Sequence, residues 1–188
     1  MMNTPNKLTV FRVILIPFCM AFYLIGSTWS QVAALLVYLV AAATDRYDGY
    51  LARKYNQITT FGKLMDPLAD KILIMSALIC FMQRDVRYIN AVVIVIILAR
   101  ELIVTGIRLI AMGENYVIAA SIWGKAKTVS QFILTIAVMV FELGSKIIPQ
   151  LEVVFDIATL ILVIVAVALT VISGWDYIWK SRKLLTFK

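Results

Sequence analysis

Histidine is absent from this chain. That excludes His-based catalytic triads, His-ligated zinc and a haem with a proximal histidine, and it leaves any acid–base or metal chemistry to carboxylates. Cysteine is scarce. Cys19 and Cys80 sit in apolar runs without paired spacing, and read as buried small hydrophobes rather than metal ligands or a disulfide. Long polar segments, low-complexity tracts and internal repeats are also lacking, so nothing marks a separate soluble module. No small-x-small cleavage pattern follows the first apolar stretch and Pro17 interrupts it, so a retained first helix is expected rather than a signal peptide.

What remains is apolar. Hydrophobic residues make up 62% of the 188 positions and the mean hydropathy is +0.92, whereas soluble domains hold roughly 45–50% apolar residues. An all-α integral membrane protein is expected, with one domain over 1–188. Six segments have spanning length: Val10–Gly26, Val32–Ala52, Gly62–Met82, Ile89–Met112, Ala126–Leu143 and Val153–Trp175. Residues Pro5 to Thr9 read as a short interfacial helix ahead of the first. Connections are short.

Charge sets the orientation. The net charge of +7 lies beside the apolar spans, which points to anionic headgroups and phosphorylated substrates rather than nucleic acid. With both termini cytoplasmic, the outer side holds only Arg84, Arg87 and Lys146, and Arg100 falls inside a span. This is the asymmetry of the positive-inside rule. Trp29, Trp123, Trp175 and Trp179 then fall at the interfaces.

Against this background stand Asp45, Asp48, Asp66 and Asp70. An ionised residue at the bilayer centre costs about 2.5–3.5 kcal/mol, so four facing lipid would cost on the order of 10–14 kcal/mol, comparable to the stability of a whole domain. They must face a protein interior or a wet cleft, with something cationic among them. Positions three or four apart share a helix face. Asp45, Asp48, Gly49 and Ala52 thus line one stripe at the end of the second helix, and Asp66 and Asp70 one at the start of the third. The turn from Lys54 to Phe61 reverses the chain, with Thr59 or Thr60 as cap, so two carboxylate pairs converge across a cleft open to the cytosol. Oxygen donors without sulfur or imidazole suit Mg²⁺ or Mn²⁺, and two such ions would clamp a diphosphate. Gly49, Ala52 and Gly62 leave room for a ligand, and Arg53 offers a forked donor for phosphate. Arg46, about 100° around the helix from Asp45, is expected to face headgroups.

The segment Asp45-x2-Asp48-Gly49-x2-Ala52-Arg53-x8-Gly62-x3-Asp66-x3-Asp70 resembles the signature of the CDP-alcohol phosphotransferase family at all eight positions. The resemblance implies a six-helix membrane fold, metal binding by Asp45, Asp48, Asp66 and Asp70, a general-base role for Asp70, and a CDP site shaped by Gly49, Ala52, Arg53 and Gly62. Three further stretches resemble the branch of that family that takes sn-glycerol 3-phosphate as acceptor: Pro5 to Arg12, Ala99 to Arg108, and Gly124 to Gln131. The expected reaction is transfer of the phosphatidyl group from CDP-diacylglycerol to sn-glycerol 3-phosphate, with release of CMP, by a homodimer in the cytoplasmic membrane. No Gly-x3-Gly pairing motif is present. Asn6 and Thr9, with Arg12, are candidates for the nucleotide. Arg108, Lys125 and Lys127 are candidates for the acceptor phosphate. Arg100 and Glu101, inside a span, read as a polar network supporting the site. The alternatives are a sibling enzyme taking serine, inositol phosphate or phosphatidylglycerol, or a cation transporter. The clustering of the acids at one membrane face speaks against transport.

Overall fold

The computed structural model describes residues 4–54, 60–113 and 121–182; within the helices, the side chains at 4–6, 45–54, 60–64, 66, 67, 109, 112 and 113 lie outside the described set. The described residues are helical, with no strand among them: α1 (Thr4–Ile25), α2 (Thr28–Lys54), α3 (Thr60–Gln83), α4 (Ala91–Gly113), α5 (Ile122–Ile147) and α6 (Glu152–Ser181), with a 3₁₀ turn over Pro149–Leu151. Among them, Lys7–Ile25, Ile122–Ile147 and Pro149–Ser181 are long and apolar enough to cross a membrane. Helices suit that setting because each satisfies its own backbone hydrogen bonds.

The helices follow the apolar runs, with differences at their ends. The expected interfacial helix is instead the opening of α1, which runs unbroken from Thr4. Pro5 lies in the first turn, where its missing N–H has no intrahelical partner to lose. Pro17 stays inside α1, so only the carbonyl of Val13 forfeits its usual donor. α6 continues past Trp175 because Tyr177 and Ser181 extend its buried stripe. Caps fix two starts: the Ser30 amide donates to Ser27 Oγ (3.2 Å) before α2, and the Val93 amide donates to Asn90 Oδ1 (3.1 Å) before α4.

Contacts divide the chain into two compact units, 1–84 with 139–152, and 85–138 with 153–188. In the first, α1 packs against both α2 and α3. Its buried stripe is Thr9, Arg12, Ile16, Cys19 and Tyr23, three and four residues apart. Ala34, Tyr38 and Ala41 answer from α2, and the alanines, with no exposed surface, allow close approach. Tyr23 meets Phe81 of α3 edge-on at 5.1 Å. Cys19 and Cys80 are buried free thiols, and Cys19 Sγ donates to the Ala34 carbonyl at 3.4 Å. Between α1 and α2, Gly26 adopts φ +79°, a conformation that suits glycine, and its carbonyl accepts from Lys146 Nζ at 2.6 Å.

The described residues of the second unit include a set of buried polar side chains. The buried face of α6 carries Thr159, Val163, Ala166, Thr170, Ser173, Gly174 and Tyr177, and Gln131 Nε2 of α5 donates to Thr170 Oγ1 at 3.0 Å. Outward, α6 shows Ile157, Ile161, Ile164, Val171 and Ile172. An apolar exterior over a hydrogen-bonded interior suits a lipid-facing helix. All four tryptophans are exposed.

Candidate active site

The periodicity of α1 decides which of its side chains enter the first unit. Thr9 and Arg12 share the inward stripe with Ile16, so a guanidinium is carried into the interior, where Arg12 has no exposed surface. It is met from two helices. Arg12 Nε donates to Thr44 Oγ1 of α2 at 3.4 Å, and one Nη donates to Asp70 Oδ1 of α3 at 2.7 Å. Thr44 in turn donates to the Ala41 carbonyl at 2.7 Å. Asp70 retains 25% side-chain exposure, so the pair lies at the edge of the interior and not deep within it.

Arg12 therefore joins the two acid-bearing helices. Thr44 directly precedes Asp45, and Asp48, Gly49, Ala52 and Arg53 follow in the closing turns of α2. α3 opens at Thr60 and carries Gly62 and Asp66 before Asp70, with Asp66 one turn earlier on the same helix. Asp70 is the one aspartate of the motif whose side chain is described; those of Asn6, Asp45, Arg46, Asp48, Gly49, Ala52, Arg53, Gly62 and Asp66 lie outside the described residues, as does Thr59. Thr9 is described and 1% exposed. Arg12 supplies a cation for Asp70, the one acid of the four whose side chain is described. The sequence marks Arg12 as a candidate for the nucleotide and carries no sign of its pairing with Asp70. Thr44 carried no sequence signal beyond adjacency to Asp45.

The basic candidates belong to the second unit. Arg108 is exposed, its Nε donates to the Tyr177 hydroxyl at 3.2 Å, and its guanidinium lies 5.5 Å from that ring's centroid. Tyr177 is buried with Val104 and Ile107, which anchors Arg108 on a rigid base. Lys125 is exposed in the first turn of α5. Lys127 differs: it is buried, and its ammonium is paired with Glu101 Oε1. The same oxygen accepts from Arg100 Nη1 at 3.1 Å, and Arg100 Nε donates to Ser173 Oγ at 3.0 Å. The two charged residues inside the fourth apolar run thus form a polar network across α4, α5 and α6.

Residues 2–173, spanning both units, match the family model described as CDP-alcohol phosphatidyltransferase. A protein of Bacillus subtilis is 39% identical over 98% of both chains. One of Rickettsia felis is 37% identical over 96% of both, and one of Escherichia coli K12 is 40% identical over 70% of this chain and 73% of its own. Each is named CDP-diacylglycerol–glycerol-3-phosphate 3-phosphatidyltransferase. With most of its length covered and the acid-bearing helices joined through Arg12, the chain belongs to the CDP-alcohol phosphatidyltransferase family.

Proposed function

We propose that this protein transfers the phosphatidyl group of CDP-diacylglycerol to sn-glycerol 3-phosphate, giving phosphatidylglycerophosphate and CMP. The observation that carries the reading is near-full-length similarity to relatives named for that reaction. It is supported by an acid set that suits a diphosphate–metal complex and by exposed Arg108 and Lys125 for a phosphorylated acceptor. The working protein is a six-span domain over 1–188, with both termini and the site on the cytoplasmic side of the cell membrane, acting as a homodimer.

The family is generally dependent on divalent metal. The donor chemistry fits: Asp45, Asp48, Asp66 and Asp70 offer hard oxygen ligands, and the chain has no imidazole. These four would hold Mg²⁺ or Mn²⁺, as two ions, which when bound offset charge at the diphosphate. Arg12 fixes the Asp70 carboxylate in one orientation through the 2.7 Å contact. Asp70 accepts the proton of the glycerol 3-phosphate hydroxyl, and that hydroxyl's oxygen bonds to the diacylglycerol-bearing phosphorus as the bond from that phosphorus to CMP breaks. Arg53, with Asn6 and Thr9, binds the CDP moiety, and Gly49, Ala52 and Gly62 leave it space. Arg108 and Lys125 hold the phosphate of glycerol 3-phosphate.

The test offers purified protein labelled CDP-diacylglycerol with glycerol 3-phosphate, serine, inositol phosphate or phosphatidylglycerol in separate reactions. The expected product is labelled phosphatidylglycerophosphate. Product with another acceptor and none with glycerol 3-phosphate would reassign the enzyme within its family.

A further inference from the structure

We infer that Lys127 is a positioning residue: clamped by Glu101, it fixes the start of α5 and so aims Lys125 at the acceptor phosphate. The inference rests on the acceptor chemistry proposed above. Lys125 and Lys127 are both basic and close in sequence, yet two residues apart on a helix they lie roughly 200° apart around its axis. The structure places them accordingly, Lys125 exposed and Lys127 3% exposed.

The inward lysine is already engaged. Glu101 Oε1 accepts from the Lys127 ammonium and from Arg100 Nη1. For Lys127 to reach a substrate phosphate it would have to leave a buried carboxylate, which is costly where water cannot replace it. The rest of the network holds the same end of α5. Arg100 reaches Ser173 of α6, and its guanidinium Nη2 lies 3.7 Å from where a β-carbon on Gly124 would stand. Ser121, just before α5, donates to Asp176 Oδ2 of α6 at 2.6 Å, and the Lys125 amide donates to the Ser121 carbonyl at 3.2 Å. The backbone beneath Lys125 is therefore tied to α6 at Ser121 and to α4 at Lys127. Small displacements of a binding group are magnified in rate and affinity, which is why supporting residues matter.

The experiment is a double-mutant cycle on the full-length enzyme in detergent–lipid micelles, with Lys127→Met, Glu101→Gln and both together. The KM for glycerol 3-phosphate, the KM for CDP-diacylglycerol and kcat are read for each. Each single variant is expected to raise the acceptor KM roughly ten-fold, the double variant no more than either single, and the KM for CDP-diacylglycerol is expected to stay put. Lys127→Arg, which keeps the charge on Glu101, should recover most of the acceptor KM and supplies the measurement if Lys127→Met fails to fold. Additive losses in the double variant would overturn the inference, because Lys127 would then act on the phosphate itself. A fall in kcat with both KM values unchanged would also overturn it, as a merely structural role. Wild-type enzyme inactive with glycerol 3-phosphate but active with another acceptor would instead remove the proposed reaction, a separate result.

Discussion

The guanidinium of Arg12 in α1 lies 2.7 Å from Asp70 Oδ1 in α3, fifty-eight residues along the chain, while its Nε reaches Thr44 in α2. One buried side chain thus holds three helices in register around the acid motif. Removing it takes the guanidinium from the Asp70 carboxylate, and the loss of one partner of a buried pair costs about 3–5 kcal/mol. Because Asp70 keeps 25% exposure, the lower end of that range applies. Arg12→Ala is expected to lower the thermal midpoint in detergent clearly and to abolish turnover. Arg12→Lys should recover part of the stability but little activity, since a single ammonium lacks the fork that spans Thr44 and Asp70. A lysine variant as active as wild type would show that only the charge matters.

Asp70 has two tasks in the proposed reaction, and substitution separates them. Asp70→Asn keeps the shape while removing the proton acceptor. It is expected to retain much of the binding of CDP-diacylglycerol and to lose turnover by at least about a hundred-fold, the usual scale for a general base. Titration calorimetry with the nucleotide lipid, set beside kcat, checks both halves. Turnover near the wild-type value would take Asp70 out of the base role.

Metal dependence follows from the donor set rather than from any one residue. Chelation with EDTA is expected to stop the reaction, and Mg²⁺ or Mn²⁺ to restore it. Asp45→Asn, Asp48→Asn and Asp66→Asn should each raise the metal concentration giving half-maximal rate, because each removes one hard oxygen ligand. Full activity after exhaustive chelation would exclude the metal assignment.

Much of this was readable in the chain because the physics involved is local. Apolar runs mark helices: the run Gly62–Met82 became Thr60–Gln83, and Val32–Ala52 became Thr28–Lys54. The eight motif positions fall on the last ten residues of α2 and the first half of α3, at the helical spacing read from the sequence. The run beginning at Ala126 understated α5, since Gly124 and Lys125 look like a break by composition yet lie within its first turn. Pairings between helices were a different matter. Nothing along α1 says that Arg12 answers Asp70 rather than a nucleotide phosphate, because that depends on how α1 lies across α3. In the same way the sequence sets Arg100 and Glu101 apart as charges in an apolar span, but does not say that Lys127, twenty-six residues beyond Glu101, is their partner.

Gly174 offers a test of how rigid that network is. A β-carbon there would stand 3.1 Å from Arg100 Cγ, closer than packed carbons normally come. Relief requires Arg100 to shift, yet its Nε is held by Ser173 and its Nη1 by Glu101. Gly174→Ala is therefore expected to be destabilising, by about 1–3 kcal/mol as for other overpacked interiors, despite alanine's better helix propensity. Gly106 in α4 is the control: nothing lies within 4 Å of its added carbon, so Gly106→Ala should be neutral or slightly stabilising. Thermal midpoints of the two variants in the same detergent decide the matter. Equal midpoints would mean that Arg100 yields easily, and that its hydrogen bond to Ser173 contributes little to holding α4 against α6.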